Sequence, residues 1–230
     1  IIYSDGRFQA LSDDYTDYTE IILLDRTTTE EVVVEGRFIE DESVTILTSD
    51  NYFIKIDLFD MTKIQFERPE CLLFNSPQTW TPTSDDSIVF ALNSSIYKIT
   101  SSQEMIQKKL EYGTICQLAL NSIQTELLVL TSDSRLLVVG VKNFEIICDC
   151  GVSPEVDAFG VTSLHWLNGL AVVSNSASGK MFFIDLSDGT ILRLNFPNDF
   201  DICIEIDGLR IVRGSQIWLL TEMPSVISEL

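Results

Sequence analysis

Histidine occurs once in this chain, at His165, and bases are scarce: 15 Lys and Arg stand against 35 Asp and Glu. The first shortage leaves little of the side chain most often used for acid–base work and metal ligation. The second gives a formal net charge of -20. Such a surface repels phosphate backbones and anionic lipid head groups, so neither direct nucleic-acid binding nor direct membrane insertion or charge docking is expected. A protein partner with a basic patch fits better, and acids that simply keep a strand-rich domain soluble are the plainer alternative. No apolar stretch approaches the roughly 18 residues of a membrane span. No basic and then apolar leader precedes the first strands, and the first residue is Ile1 rather than Met, so the chain reads as a piece of a longer protein.

Disulfide chemistry is also short of material. The cysteines are five, an odd number: Cys71, Cys116, Cys148, Cys150 and Cys203. Most sit in apolar runs such as TICQLAL and FDICIEI, where cysteine acts as a small buried hydrophobe. The pattern argues against a disulfide framework and for a reducing compartment. In such a compartment the sequon match at Asn93-Ser94-Ser95 carries little weight.

What the chain has is apolar material, 45% of its residues, with only six prolines. Isoleucine, leucine, valine, phenylalanine and threonine gather in short runs, which favours strands over helices. The stretch LRIVRGSQIWLL from Leu209 reads as two strands joined by a tight turn. The same pattern begins at Ile46 (ILTSDNYFIKIDL), Ile88 (IVFALNSSIYKIT), Leu128 (LVLTSDSRLLVVG) and Leu170 (LAVVSNSASGKMFFIDL). The starts lie 42, 40, 42 and 39 residues apart. The turns at Ser49-Asp50-Asn51, Asn93-Ser94-Ser95, Ser132-Asp133-Ser134 and Arg213-Gly214-Ser215 carry short polar side chains or a glycine that tolerates positive φ. A strand precedes several copies (Trp80 with TPTSDD, Cys116 to Leu120, VTSLHWL from Val161). A further strand follows several (MIQKKLEY from Met105, FEIICDC from Phe144, ILRLNF from Ile191).

A strand-borne period near 40 residues, with four strands per repeat, predicts an all-β fold of four-stranded antiparallel blades, a β-propeller. Neither the Gly-His and Trp-Asp signature nor a kelch Gly-Gly pair is present. Five repeats and an N-terminal remnant suggest the C-terminal part of a larger propeller, with a closed six-blade ring as the alternative. Residues 1–220 are assigned to blades and 221–230 to the start of a connection toward a downstream helical region. Near the N-terminus, Ile21 to Leu24 and Glu31 to Val34 are expected as strands around TTTE. The acidic segment Leu11 to Glu20 is expected as a surface loop, with an interaction patch as second choice.

No catalytic constellation stands out. A serine–histidine–acid triad would have to pass through His165, which lies in the strand-like SLHWL and reads as a structural residue on a blade face. The two thiols of Cys148-Asp149-Cys150 are expected on opposite faces of a strand, poor geometry for one metal, and nothing completes a zinc site. The acid clusters Asp13-Asp14, Glu40-Asp41-Glu42 and Asp85-Asp86 lack the calcium-loop pattern and read as solvated turns. Trp80, Trp166 and Trp218 read as core rather than as interface anchors. No catalytic, metal or cofactor site is assigned, and the chain is expected not to be an enzyme.

Three stretches carry a family resemblance: Asp207-Gly208-Leu209-Arg210-Ile211 with its hairpin and WLLTEMPSVISEL; Trp80 through Asp85-Asp86-Ser87-Ile88 to Ile96-Tyr97-Lys98-Ile99; and VTSLHWLNGLAVVS. Over roughly residues 78 to 230 the chain resembles the N-terminal propeller domain of the vacuolar protein sorting-associated protein 16 family. The resemblance implies a non-enzymatic scaffold in the endosomal and vacuolar (HOPS/CORVET-type) tethering complexes, peripheral on endosome, vacuole or lysosome membranes. It implies other tethering subunits as partners, and a Sec1/Munc18-type protein bound through a region beyond Leu230. No family site residue transfers to this chain. A propeller scaffold of another coat or pore assembly, or a propeller hydrolase, is the alternative.

Overall fold

The computed structural model describes residues 7–11, 18–22, 32–39, 43–152, 156–161, 163–167, 169–195, 201–205, 208–213 and 216–220. Side chains are described within 32–195. The chain divides into two compact units: Ile1–Val89 with Tyr97–Ile106, and Phe90–Ile96 with Gln107–Leu230.

The described residues form strands and two short 3-10 turns. A two-stranded sheet pairs β1 (Arg7–Leu11) with β2 (Tyr18–Ile22). A four-stranded antiparallel sheet follows: β3 (Val33–Ile39), β4 (Ser43–Thr48), β5 (Phe53–Asp57) and β6 (Lys63–Gln65), in that order. The same order recurs in β7 (Thr79–Pro82), β8 (Ser87–Leu92), β9 (Ser95–Thr100) and β10 (Met105–Lys109). It recurs again in β11 (Ile115–Leu120), β12 (Glu126–Thr131), β13 (Arg135–Gly140) and β14 (Ile146–Val152). The fourth such sheet is β15 (Ser163–Leu167), β16 (Leu170–Asn175), β17 (Lys180–Asp185) and β18 (Ile191–Asn195). A three-stranded sheet of β19 (Asp201–Glu205), β20 (Gly208–Arg213) and β21 (Gln216–Leu220) completes the set. Consecutive antiparallel strands in repeated four-stranded sheets are the blade plan of a β-propeller.

All five hairpins read from the sequence are present, as β4–β5, β8–β9, β12–β13, β16–β17 and β20–β21. Burial explains why they were visible. Both β4 and β8 are buried along their whole length. A strand covered on both faces reads as a continuous apolar run bounded by turn residues. The fourth strands differ: β6 and β10 are exposed throughout, and β18 alternates between exposed and half-buried.

The N-terminal expectation needs correction. Leu11 to Glu20 is not one surface loop, because Leu11 ends β1 and Tyr18 to Glu20 open β2, with Leu11 opposite Tyr18. Threonine and tyrosine suit a pleated strand, and cross-strand pairing outweighs the local polarity that suggested a loop. The intervening 12–17, the TTTE turn and 221–230 lie outside the described residues.

The turns share a grammar. In Thr48-Ser49-Asp50-Asn51, Thr83-Ser84-Asp85-Asp86 and Thr131-Ser132-Asp133-Ser134 the last residue lies in the left-handed region, at φ 63°, 56° and 60°. The Asn51 and Ser134 N–H groups donate back to the Thr48 and Thr131 carbonyls at 2.9 Å. The Thr83 and Thr131 hydroxyls donate to the carboxylates of Asp85 and Asp133. Asn121-Ser122-Ile123-Gln124 uses the same frame, with Gln124 at φ 55° and its N–H on the Asn121 carbonyl at 3.0 Å. A β-branched residue tolerates that backbone poorly. Gln124→Ile is therefore expected to cost about 1–2 kcal/mol, read as a lowered denaturation midpoint at unchanged m value.

In the second unit the core lies between two sheets. Leu128 and Leu130, Leu136 and Val138, Ala171 and Val173, and Phe182 and Ile184 alternate along four strands and pack as one cluster with Val156, Val161 and Leu164. The period of two places one face of each sheet against the other. In the first unit Val33, Val44, Ile46, Ile54 and Ile56 form the corresponding cluster.

Candidate functional site

Four polar or sulfur clusters and two exposed aromatics are the features from which a site could be built. The first cluster surrounds the Asp85-Asp86 turn between β7 and β8. Lys98, on β9 and with a side chain only 9% exposed, donates to Asp85 Oδ2 at 2.7 Å. Lys55, on β5, pairs with Asp86. These acids are therefore not simply a solvated turn, as the sequence had suggested. They stay partly open to water, yet each holds an ammonium from a strand distant in sequence. Burial pushes the Asp85 carboxyl up, but hydrogen bonds from Lys98, Thr83 and Ser87 outweigh it and hold the group below its ordinary value.

The second cluster is built on Trp80, 1% exposed. Its Nε1–H donates to Glu35 Oε2 at 2.7 Å. The Arg37 guanidinium lies 5.0 Å from the indole and pairs with Glu35 at 2.8 Å. Phe53 packs at 5.3 Å on a tilted face. A large indole can be this deeply buried because its one N–H has an acceptor. Trp80 is core, as expected.

The third cluster is Tyr112, Arg135 and Asp149. Arg135 pairs with Asp149 and lies 4.8 Å from the Tyr112 ring centroid. For Asp149, burial is the largest single influence and raises the carboxyl, but the Gly151 N–H, Arg135 and Tyr112 together outweigh it and hold the group below its ordinary value. Both depressed aspartates contribute stability above the unfolded-state value of about 3.9, and that contribution is lost as pH falls through the lower folded values. The protein is therefore expected to lose stability as pH drops below about 4, measured as the denaturation midpoint across an acid series. Asp85→Asn is expected to flatten that slope.

The fourth cluster corrects the sequence reading most sharply. Cys148 and Cys150 do not lie on opposite faces. Residues i and i+2 of a strand point the same way, and the two sulfurs are 3.9 Å apart. Both lie 3.9 Å from the Leu186 carbonyl oxygen. Cys71, Cys116, Cys148 and Cys150 are free thiols, half-buried rather than fully buried. Burial, followed by the hydrogen bond and charge of Cys148 and the charge of Asp149, pushes the Cys150 thiol up to about 12. Burial also raises Cys71 and Cys116. Thiols so shifted stay protonated at neutral pH and are poor nucleophiles.

His165 sits on β15 opposite Val172, half-buried. Trp166 beside it packs against the core of the second unit. Among the described residues no three His, Cys, Asp or Glu side chains are placed to hold a metal ion together. Asp13-Asp14, Glu40-Asp41-Glu42 and the side chains of Cys203 and Trp218 lie outside the described residues.

Sequence reasoning missed two aromatics that the fold leaves in water. Phe59, 97% exposed, stands at the β5–β6 turn. There Asp57 Oδ1 accepts from the N–H groups of Phe59 at 2.8 Å and Asp60 at 3.1 Å. Phe74, 92% exposed, follows the 3-10 turn Glu70–Leu72. Its segment is tied down, because Asn51 Nδ2 donates to the Leu72 and Asn75 carbonyls at 3.2 and 3.3 Å. Next to it in sequence, Leu73 lines a groove of about 420 Å³ with Tyr52, Gln65, Phe66, Glu67 and Arg68. Arg68 lies 4.9 Å from the Tyr52 ring. The available signal was a phenylalanine inside an aspartate-capped turn, where composition favours small polar residues.

No protein-family model and no curated protein matches the chain. Solved structures do. PorZ, an essential bacterial surface component of the type-IX secretion system of Porphyromonas gingivalis, matches at TM-score 0.64 and 13% identity. That alignment covers 95% of this chain and 30% of PorZ, so the chain spans less than a third of that protein. Hsv2 of Kluyveromyces lactis matches at TM-score 0.60 and 12% identity, over 90% of this chain and 71% of Hsv2. A Bacteroides caccae protein of unknown function matches at TM-score 0.56 and 14% identity, over 91% and 80% of the two chains. At such identities the likeness is one of fold, and the fold is that of a β-propeller. Among the described residues no helix is long and apolar enough to cross a membrane.

Proposed function

We propose that this chain is a protein-binding propeller, a non-enzymatic scaffold whose work is to present surface to other subunits. The observation that carries the reading is the pair of large aromatics, Phe59 and Phe74, held out in water by hydrogen-bonded turns at 97% and 92% exposure. Leaving two phenylalanines in water is unfavourable, and aromatic anchors dominate protein interfaces. The net charge of -20 points to a partner surface carrying basic residues and away from nucleic acid. The finer reading rests on the sequence resemblance over residues 78 to 230. It places the chain in a core subunit of a HOPS/CORVET-type tethering complex, peripheral on endosome, vacuole or lysosome membranes. Other tethering subunits would be its partners, and a Sec1/Munc18-type protein would bind through a region beyond this chain.

Affinity purification of the full-length parent from its own cells, with mass spectrometry of what accompanies it, tests both levels. Recovery of propeller–solenoid tethering subunits with a Sec1/Munc18-type protein is the expected result. Coat or pore components in their place would keep the scaffold and overturn the tethering assignment. Phe59→Ala with Phe74→Ala is expected to reduce partner recovery at least 10-fold, the equivalent of about 1.4 kcal/mol, without lowering stability.

A further inference from the structure

We infer that Cys148, Cys150 and the Leu186 carbonyl form a binding site for one thiophilic d10 cation, Cu(I) or Zn(II). The three donor atoms define a triangle with every edge 3.9 Å long: sulfur to sulfur, and each sulfur to the Leu186 oxygen. A point at the centre of such a triangle lies its edge divided by √3 from each corner, about 2.3 Å, against metal–sulfur bonds of about 2.3 Å and metal–oxygen bonds of about 2.0–2.2 Å. A cation there reaches all three donors with almost no movement of the chain.

The donors are held in place from both sides. Cys148 and Cys150 project from the same face of β14 and pack against the apolar cluster that joins the β11–β14 and β15–β18 sheets. Leu186 stands in the β17–β18 turn, which is fixed by its own hydrogen bonds. Asp185 Oδ1 accepts from Ser187 N at 2.8 Å and Ser187 Oγ at 2.6 Å, and the Asp185 carbonyl accepts from Gly189 N at 2.8 Å. The Leu186 N–H donates to the Gly169 carbonyl at 3.0 Å. Gly189, at φ +77°, brings the turn against β14, where a Cβ would stand 3.3 Å from the Cys150 carbonyl oxygen. The carbonyl that completes the triangle is thus fixed by the chain before any cation arrives.

Soft thiolates select soft or borderline d10 ions over magnesium and calcium. Cu(I) is served by the two thiolates, with the hard carbonyl oxygen a weak third contact, and Zn(II) takes all three donors and a water as its fourth ligand. Both thiols must ionise, so each cation bound releases two protons to solvent and binding strengthens as pH rises.

The test is anaerobic titration of the reduced protein with Cu(I) and, separately, with Zn(II). It follows thiolate-to-metal absorption in the ultraviolet and bound metal by native mass spectrometry. One equivalent of at least one ion is expected, with two protons released. Coordination by the two thiolates marks the Cu(I) arm, and oxygen ligation with a bound water the Zn(II) arm. Cys148→Ser and Cys150→Ser are each expected to weaken binding by at least roughly 100-fold, whereas Cys71→Ser and Cys116→Ser leave it unchanged. A second readout needs no variant: bound metal should protect Cys148 and Cys150, and not Cys71 or Cys116, from alkylation mapped by peptide mass spectrometry. No uptake of either ion by the reduced protein overturns the site. So does uptake that persists in both serine variants, or that protects other cysteines instead.

Discussion

Trp80→Ala is expected to cost about 3–5 kcal/mol, the largest single loss from the described core. The side chain is 1% exposed, so nearly all of its apolar surface is hidden from water. Its removal leaves a cavity beside Phe53 and strips Glu35 of its indole donor at 2.7 Å. It also removes the ring beneath Arg37, whose attraction for the indole adds about 0.5–1 kcal/mol at a partly open site. Two milder variants divide the effect. Trp80→Phe keeps most of the volume and loses the hydrogen bond, and Glu35→Gln keeps an acceptor and loses the charge. Each is expected to cost about 1–2 kcal/mol. Denaturant titration measures all three. A Trp80→Ala loss under 1 kcal/mol would show that the indole is not buried as described.

The Asp85–Lys98 pair is expected to respond asymmetrically. Asp85→Ala leaves a buried ammonium without its carboxylate. Removing one partner of a fully buried pair costs about 3–5 kcal/mol, and the partial exposure of Asp85 brings the expected loss down to about 2 kcal/mol. Lys98→Met removes the charge, keeps the stem and leaves Asp85 free to meet water, so its expected cost is under about 1 kcal/mol. The double variant should resemble Lys98→Met, because the penalty of Asp85→Ala lies in the stranded ammonium. Equal losses for the two single variants would show that the pair itself, rather than the desolvated Lys98, sets the energy.

The two outcomes bear on what a sequence of this kind can reveal. The hairpins were legible because β4, β8, β12 and β16 are almost wholly buried, and a buried strand between polar turns marks itself in a single line of residues. The recurrent Thr-Ser-Asp turn was equally open to inspection at Thr48, Thr83 and Thr131, and it ties together connections at different places in the blade. The partners of Asp85 and Asp86 were not legible. Lys98 lies 13 residues away in the same sheet and Lys55 lies 31 away in a different sheet, so strand pairing makes the first contact and the approach of one sheet to the next makes the second. The Cys148–Cys150 face was legible and was misread, since a period of two places i and i+2 together. The β1–β2 pair was hidden by an acidic, tyrosine-rich segment whose local polarity says loop. Phe59 and Phe74 were hidden for a different reason: hydrophobicity predicts burial, and only the aspartate-capped turn around Phe59 gave a local sign that a phenylalanine stays outside.

The fold class follows from the blade repeat, and propellers serve many ends, so the working surface has to be found from what the blades expose. The measurement that bears most directly on the scaffold reading is cross-linking mass spectrometry of the full-length protein in its native assembly. The account predicts cross-links from this chain to other proteins, concentrated around the segments that carry Phe59 and Phe74 and attached to basic stretches of the partner. Cross-links confined to the chain itself, in an assembly otherwise intact, would contradict it.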